Sequence, residues 1–171
     1  SFAMVSKHGE PGRIRFGLSA IKNLGEHISE VIYMERKKNG PYKTLEDLLE
    51  RVNDKDLNKK SLEALIQTGA VDRFVYDRVV LMGNIEHLLG SVRRIREEGE
   101  TQQFSLFSGT SISLDNKLSM KPAPDATMDQ KLTWEKNLLG LYVSSHPFAP
   151  YEPLFGSALT PLSQVESQPR D

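Results

Sequence analysis

Apolar residues recur at helical spacing along most of the chain, and this periodicity predicts a mainly α protein. Residues 13–16, Arg-Ile-Arg-Phe, alternate instead and predict a short strand or an extended lead-in. Gly25 divides the first helical pattern into two parts. Before it stand Leu18, Ile21 and Leu24, and after it stand Ile28, Val31, Ile32 and Met34. The second part predicts a helix that runs to Lys38 and stops at Asn39-Gly40-Pro41.

Two shorter helices are predicted next, each with its own capping residue. Thr44 is followed by Glu46 and Asp47, an arrangement typical of an N-cap with acidic residues in the first helical turn. The helix that Thr44 opens is predicted to reach Val52. Asn58 or Ser61 caps the following helix, which ends at Gly69. The apolar face of that helix consists of Leu62, Leu65 and Ile66.

The rest of the pattern predicts a long helix, a linker and a last helix. The long helix extends from Asp77 to Arg96 on one apolar stripe, although its two glycines weaken it by roughly 1 kcal/mol each relative to alanine. Residues 97–127 contain Gly, Ser, Thr and Pro without a sustained period, which indicates a linker. The last helix is predicted from Asp129 to Leu141 and contains the only tryptophan, Trp134; proline interrupts the segment that follows.

Composition excludes several classes of protein. The 171 residues suffice for one ordinary domain or a small domain with extensions, and the net charge of -1 excludes a chain-wide polycation. The lack of cysteine excludes a disulfide scaffold and a thiolate zinc site, and it fits a reducing compartment. No apolar run approaches membrane-spanning length, so we expect no membrane partner. Ser1-Phe2-Ala3-Met4 is not typical of a natural start, so we expect a piece of a larger chain.

Gln103-Phe104-Ser105-Leu106-Phe107 is a candidate docking peptide within the predicted linker. The Gln103 amide can hydrogen-bond in a small polar pocket, while Leu106 and Phe107 offer two apolar side chains from polar surroundings. Burying both side chains in a partner yields a few kcal/mol that a solvated loop cannot gain alone. The alternative interpretation is an apolar satellite of the core or a strand edge.

Two glycine-containing turns are candidate helix-hairpin-helix turns: Ile21-Lys22-Asn23-Leu24-Gly25 and Ile66-Gln67-Thr68-Gly69-Ala70. Such a turn directs backbone N–H groups and the positive end of a helix dipole at an anion such as a phosphate. Gly25 lets the backbone come close where a Cβ would intervene. The lysines near the turns, which add phosphate contacts without base readout, include Lys22, Lys59 and Lys60. The alternative is an αα-hairpin in which the glycine only ends a helix.

No combination of residues is typical of an active site or a metal centre. The four histidines, at positions 8, 27, 87 and 146, lack the paired spacing of metal ligands. Asp54 and Asp56 lie in a charged segment between helices, where a solvated turn is the simpler interpretation. Ser144-Ser145-His146 lacks a glycine elbow and an orienting acid, and nothing near Lys22 would desolvate its amine. We therefore expect neither catalytic residues nor a metal or cofactor in this chain.

Several segments follow one another in an order and spacing that together form a signature. They are Gly12-Arg13-Ile14-Arg15-Phe16-Gly17-Leu18-Ser19-Ala20-Ile21-Lys22-Asn23-Leu24-Gly25, Gly40-Pro41-Tyr42, Leu45-Glu46-Asp47, Asn58-Lys59-Lys60-Ser61-Leu62-Glu63-Ala64-Leu65-Ile66, Gly69-Ala70-Val71-Asp72, Trp134-Glu135-Lys136, Leu139-Gly140-Leu141-Tyr142, Ser145-His146-Pro147 and Tyr151. Across most of the chain this signature resembles the catalytic alpha subunit of bacterial DNA polymerase III, a C-family replicative polymerase. Asn23 departs from the resemblance, because such turns often have a first glycine there.

The resemblance implies a function for each part of the chain. Residues 1–75 would form a tandem helix-hairpin-helix region that grips duplex DNA, and residues 76–98 a connecting helix. Residues 99–127 would form a loop whose peptide 103–107 binds the ring-shaped sliding clamp, and residues 128–171 a C-terminal helix with a Pro-rich tail that leads toward the next domain. The polymerase aspartates and the phosphoesterase domain of the family have no counterpart here, so the fragment is expected to be non-catalytic.

The implied partners are the sliding clamp (beta subunit), double-stranded DNA and the remainder of the polymerase holoenzyme, in the bacterial cytoplasm at the nucleoid. The clamp-binding set is Gln103, Phe104, Ser105, Leu106 and Phe107. The DNA-binding set is Lys22, Asn23, Leu24, Gly25, Lys59, Lys60, Thr68, Gly69 and Ala70. Two alternatives stay open: a helix-hairpin-helix DNA-repair enzyme, and a structural scaffold whose hairpins pack on a larger subunit without touching DNA.

Overall fold

The computed structural model describes residues 2–5, 13–100 and 120–155, and these parts of the chain are mainly α, as predicted. Two short strands, β1 (Phe2–Val5) and β2 (Arg13–Phe16), pair antiparallel. β2 confirms the predicted strand, whereas β1 was not predicted. The helices are a one-turn 3-10 helix, η1 (Leu18–Ala20), followed by α1 (Glu26–Asn39), α2 (Leu45–Arg51), α3 (Lys59–Gln67), α4 (Arg78–Gly83), α5 (Ile85–Glu100), α6 (Met128–Leu139) and α7 (Glu152–Phe155).

Local capping sets the bounds of the first three α-helices, as predicted. α1 ends where Gly40 takes a φ of 85°, a value that favours glycine. The Thr44 hydroxyl accepts a hydrogen bond from the Asp47 N–H at 3.1 Å and opens α2. Asn58 and Ser61 act together at α3, because each side chain accepts from the backbone N–H of the other, at 3.2 and 2.9 Å.

The single helix predicted from Asp77 to Arg96 is wrong, because Asn84 separates α4 from α5. Asn84 leaves the helical region with φ -110° and ψ 12°. Its side-chain amide donates to the carbonyls of Val80 and Lys121, at 2.7 and 3.0 Å, and its side-chain oxygen accepts from the Lys121 N–H at 2.8 Å. These bonds to a residue 37 positions away outweigh the helical periodicity that alone is visible in the sequence.

One hydrophobic core joins the helices on either side of both turns. α3 contacts α4, α5 and α6, while α2 contacts α5. The largest fully buried apolar side chains are Ile28, Leu45, Leu49, Leu62, Ile66, Leu81, Leu88, Val52 and Val71. The core therefore draws on α1 to α5, and it holds the segments between those helices in fixed positions.

Residues 120–127 form no helix or strand, yet this stretch is bound near both ends to the two residues that cap α4. Asn84 binds Lys121 at one end, and the Ala126 N–H donates to the Asp77 carboxylate at 2.8 Å at the other. α6 follows, and it ends at Leu139 instead of the predicted Leu141 because Gly140 takes a left-handed φ of 79°. No helix in the described ranges is long and apolar enough to cross a membrane.

Candidate nucleic-acid interface

The first predicted turn, residues 21–25, buries two apolar side chains and exposes its other residues to solvent. Ile21 and Leu24 are each 6% exposed and anchor the turn in the core, whereas Lys22, Asn23 and Gly25 face solvent. The Leu24 N–H donates to the Ile21 carbonyl at 3.2 Å. The predicted contact residues of this turn therefore lie together, with Leu24 as an anchor and the other three at the surface.

Asn23 adopts the left-handed backbone conformation in this turn. Its φ is 71°, and no other non-glycine residue in the described parts of the chain has a positive φ. Asparagine is among the few non-glycine residues that enter this region readily, so it can stand where such turns often have glycine. Gly25 is different, because its φ of -62° and ψ of 151° are open to any residue. A Cβ added there would meet only the Ile28 side chain, at 3.9 Å.

The N-terminus of α1 is open because Gly25 has no side chain that can cap it. Within the described ranges, no acceptor binds the backbone N–H groups of Glu26, His27 or Ile28. Side chains cap α2, α3, α4 and α6, and these are Thr44, Asn58, Asp77 and Thr127. α1 therefore offers a set of free donors and the positive end of a 14-residue helix at the first turn.

The charges around the first turn are mixed. Lys22 is exposed on the turn, while the carboxylate of Glu26 belongs to the first turn of α1. His27 Nε2 lies 2.9 Å from the Asp54 carboxylate of the α2–α3 loop. A hydrogen bond from the Asp56 N–H, assisted by His27, holds the pKa of Asp54 below its ordinary value despite partial burial. A phosphate bound here would meet both signs of charge, which favours weak binding that added salt screens further.

His27, Asp54 and Asp56 place ligand atoms within 4.8 Å of one another, and no other such group occurs in the parts of the chain that the structure describes. Imidazole nitrogen and carboxylate oxygen are possible metal ligands. The His27 side chain is 60% exposed, and its nitrogen already contacts Asp54. This arrangement is that of a surface hydrogen bond between two side chains beside the turn.

The second predicted turn, residues 66–70, engages the N–H groups of its last three residues within the protein. The N–H groups of Thr68, Gly69 and Ala70 bind the carbonyls of Ala64, Ile66 and Leu65, at 3.2, 3.0 and 3.0 Å. The buried Thr68 hydroxyl also turns inward and donates to the Ala64 carbonyl at 2.7 Å. Only Ala70 of the three is exposed. The second turn therefore offers an anion no free N–H among these three residues.

Position 69 requires glycine for two reasons, the backbone conformation and the side chains packed against it. Its φ is 74°, and a Cβ added there would lie 2.3 Å from Arg78 Nη2 and 2.7 Å from the Asp72 carboxylate. Arg78 is 3% exposed, and its guanidinium donates to Asp72 at 2.6–3.1 Å and to the Gln67 carbonyl at 3.1 Å. A cation thus occupies the carboxyl end of α3, where the helix dipole favours positive charge.

Arg78 also binds Glu135 of α6, which is fully buried. Arg78 Nη1 donates to Glu135 Oε1 at 3.0 Å, and the other carboxylate oxygen accepts from the N–H groups of Val143 and Ser144 at 2.7 and 2.9 Å. The Ser144 hydroxyl donates to Glu135 as well. Burial alone would raise the pKa of Glu135, but the bonds from Ser144, Val143 and Arg78 outweigh burial and hold this pKa below its ordinary value.

The predicted lysines of α3 differ in their freedom. Lys59 Nζ lies 2.7 Å from the Glu86 carboxylate of α5, and this hydrogen bond raises the pKa of the Lys59 amine. Lys60 is exposed, and no ion pair engages it within the described residues. Lys60 is therefore more available than Lys59 to an external phosphate.

The predicted clamp-binding residues, Gln103 to Phe107, lie outside the described residues. The structure does describe the segments that precede and follow this peptide. α5 ends at Glu100, three positions before Gln103, and the chain after the peptide is bound at Lys121 to Asn84. The pairing of Arg78 with Glu135 was not predicted, because two residues 57 positions apart leave no periodic signal in the sequence.

Comparison with known proteins identifies relatives over most of the chain. Residues 1–81 match the helix-hairpin-helix motif family. The DNA polymerase III subunit alpha of Borreliella burgdorferi is 37% identical over 141 residues, which cover 81% of this chain and 12% of that protein. The same subunit of Thermus aquaticus is 39% identical over 138 residues, or 81% and 11%, and that of Treponema pallidum is 33% identical over 157 residues, or 91% and 13%. The chain thus spans only 11–13% of the length of these relatives.

Proposed function

We propose that this chain, which belongs to the DNA polymerase III subunit alpha family, binds the backbone of duplex DNA through the turn at residues 21–25. The observation that carries the proposal is the uncapped N-terminus of α1 beside the exposed Lys22. A phosphate at this position would accept hydrogen bonds from free N–H groups and gain from the helix dipole. Such contacts ignore base identity, as a replicative enzyme requires.

The other predicted DNA contacts contribute in different ways. Lys60 adds a free cation, and Lys59 adds one only when a phosphate displaces Glu86. Direct contacts at Thr68, Gly69 and Ala70 stay predictions, since the N–H groups of these residues are engaged within the protein. In our proposal the first turn makes the principal phosphate contact.

Titration of a labelled duplex over a range of salt concentrations tests this proposal. The association constant should fall as salt rises and should not depend on base sequence. Lys22→Gln should weaken binding and lower the magnitude of the logarithmic salt slope by about 0.9, the value for one lost phosphate contact. Lys59→Gln is the charge-matched control and should have the smaller effect, because Lys59 is paired. Binding that responds neither to salt nor to Lys22→Gln would favour the structural scaffold, whereas nuclease, glycosylase or lyase activity would favour a repair enzyme.

The second part of the proposal is that Gln103, Leu106 and Phe107 bind the sliding clamp, with Phe104 and Ser105 as spacers. Two apolar anchors supply the affinity, and Gln103 adds a polar contact. A weak peptide is sufficient, because a clamp that encircles the DNA held by the hairpin raises the effective concentration of its partner. The fragment itself would be non-catalytic and would act with the rest of the holoenzyme in the bacterial cytoplasm.

Calorimetric titration with purified sliding clamp tests the peptide. The double variant Leu106→Ala/Phe107→Ala should abolish the binding heat, because both apolar anchors are lost. Ser105→Ala, a change at a spacer in the same peptide, should bind like the unaltered chain. Equal affinity of the double variant and the unaltered chain would refute the assignment.

A further inference from the structure

α6 contacts both turns, although it lies more than a hundred positions after the first one. The Leu138 carbonyl accepts a hydrogen bond from the Lys22 N–H at 2.9 Å. One turn earlier on α6, Glu135 binds Arg78, which packs against the second turn at Gly69. The last turn of α6 therefore reaches the first turn through a backbone carbonyl and the second turn through the Glu135 side chain.

The hydrogen bond from the Lys22 N–H to the Leu138 carbonyl holds the backbone of the first turn next to its left-handed residue. Lys22 directly precedes Asn23, whose left-handed conformation reverses the chain toward α1. Leu138 belongs to the last turn of α6, where carbonyls have no partner within the helix, so the Lys22 N–H satisfies a group that would otherwise be free. The two buried side chains of the turn, Ile21 and Leu24, hold it from the core side.

Glu135 links the end of α6 to the elements around it. Its carboxylate binds Arg78 on one side, and on the other it binds the N–H groups of Val143 and Ser144, which follow the left-handed Gly140. The side chain is fully buried, so each of these bonds lacks competition from water. The carboxylate thereby joins α6, the segment after it and α4 beside the Leu138 carbonyl.

We propose that Glu135 is a positioning residue for the phosphate-binding turn, acting through the Leu138 carbonyl on Lys22. The DNA-binding unit would then extend to Ser144, well beyond the 1–81 region that matches the helix-hairpin-helix family. This inference rests on the proposed function of the first turn. It assigns α6, which follows the candidate clamp peptide in the chain, to the DNA-binding unit.

Glu135→Gln in the full chain gives a test in which the two explanations predict opposite signs. The substitution removes one negative charge, so electrostatics alone predicts equal or tighter duplex binding. A positioning role for Glu135 predicts binding that is about tenfold weaker. The NH₂ group of the new amide would face the donors of Arg78 or of Val143 and Ser144, and this mismatch would loosen the end of α6. The Lys22 amide should also exchange with solvent faster, while the amides of Leu65 and Ile66 stay protected. Glu50→Gln, an equal change of charge at an exposed site on α2, is the control and should not weaken binding.

Ser144→Ala keeps the proposal testable if Glu135→Gln fails to fold. It leaves the net charge and the Ser144 N–H unchanged and removes the hydroxyl, which donates to Glu135 and accepts from Arg78 Nη2 at 3.2 Å. We expect a smaller loss of affinity in the same direction, with faster exchange at Lys22. Unaltered duplex binding together with a protected Lys22 amide in the folded variants would overturn the inference alone. An unaltered chain that shows no salt-dependent duplex binding would instead refute the proposed function.

Discussion

The turn at residues 21–25 leaves the backbone donors of the following helix open, whereas the turn at 66–70 engages the N–H groups of Thr68, Gly69 and Ala70 within the protein. Gly25 stands at the amino end of α1, where the dipole favours an anion. Gly69 follows the carboxyl end of α3, where Arg78 already supplies a cation from inside the protein. Two glycines at hairpin turns therefore have opposite electrostatic surroundings.

A glycine at a helix boundary can leave the helix end open or make room for internal packing. At Gly25 the missing side chain leaves a helix uncapped, although the backbone conformation would accept any residue. At Gly69 the missing side chain makes room for Arg78 and permits a positive φ. The first glycine serves an external ligand in our proposal, and the second serves internal packing. Substitutions that are identical in chemistry should therefore give opposite results at the two turns.

The largest effect is expected at the internal ion pair of the second turn. Arg78→Met should lower the free energy of unfolding by about 3–5 kcal/mol, because Glu135 would remain buried without its cationic partner. Urea denaturation of the full chain measures this loss. The double variant Arg78→Met/Glu135→Met removes both charges and should recover much of the stability. If Arg78→Met alone is as stable as the unaltered chain, the second turn is not held by this pair.

The same substitution at the two glycines should separate the turns. Gly69→Ser should cost roughly 1–3 kcal/mol for a left-handed non-glycine residue, and the added Cβ would also clash with Arg78. Gly25→Ser should leave stability unchanged or raise it by a few tenths of a kcal/mol, because serine caps a helix. Its hydroxyl would engage the donors of α1, so duplex affinity should fall. Thermal unfolding and duplex titration check both variants, and a Gly25→Ser protein with unchanged affinity would contradict an open N-terminus as the binding feature.

The smallest expected effect is on the loss of stability at low pH. The pKa values of Glu135 and Asp54 are lowered in the folded chain from ordinary values of 4.5 and 3.8. The unfolded chain therefore takes up these protons first as the pH falls, and the stability present above the ordinary values is lost as the pH drops through the folded-state values. Glu135→Gln should flatten this loss more than Asp54→Asn, because Glu135 is buried among more hydrogen bonds. Equal slopes of stability against pH in both variants would contradict the stronger contribution of the Glu135 carboxylate.

Features that are local in the sequence could be predicted, and features that depend on distant residues could not. The caps at Thr44 and Asn58 and the stop at Gly40 follow from residue type and neighbouring positions, and the structure confirms them. The break at Asn84 depends on Lys121, and so a continuous apolar stripe concealed it. The turns show the same limit, since a glycine was visible at each while the contact with α6 was not.

The difference between the two turns is tested by following the backbone amides while duplex DNA is added to the isotope-labelled full chain. Nuclear magnetic resonance reports each N–H separately, so the two turns are compared in one experiment. Our account predicts that the resonances of Gly25, Glu26, His27 and Ile28 shift with added duplex and return as salt is raised, while those of Thr68, Gly69 and Ala70 stay in place. Shifts confined to the second turn, or no shifts at the first turn under conditions in which the duplex binds, would contradict it.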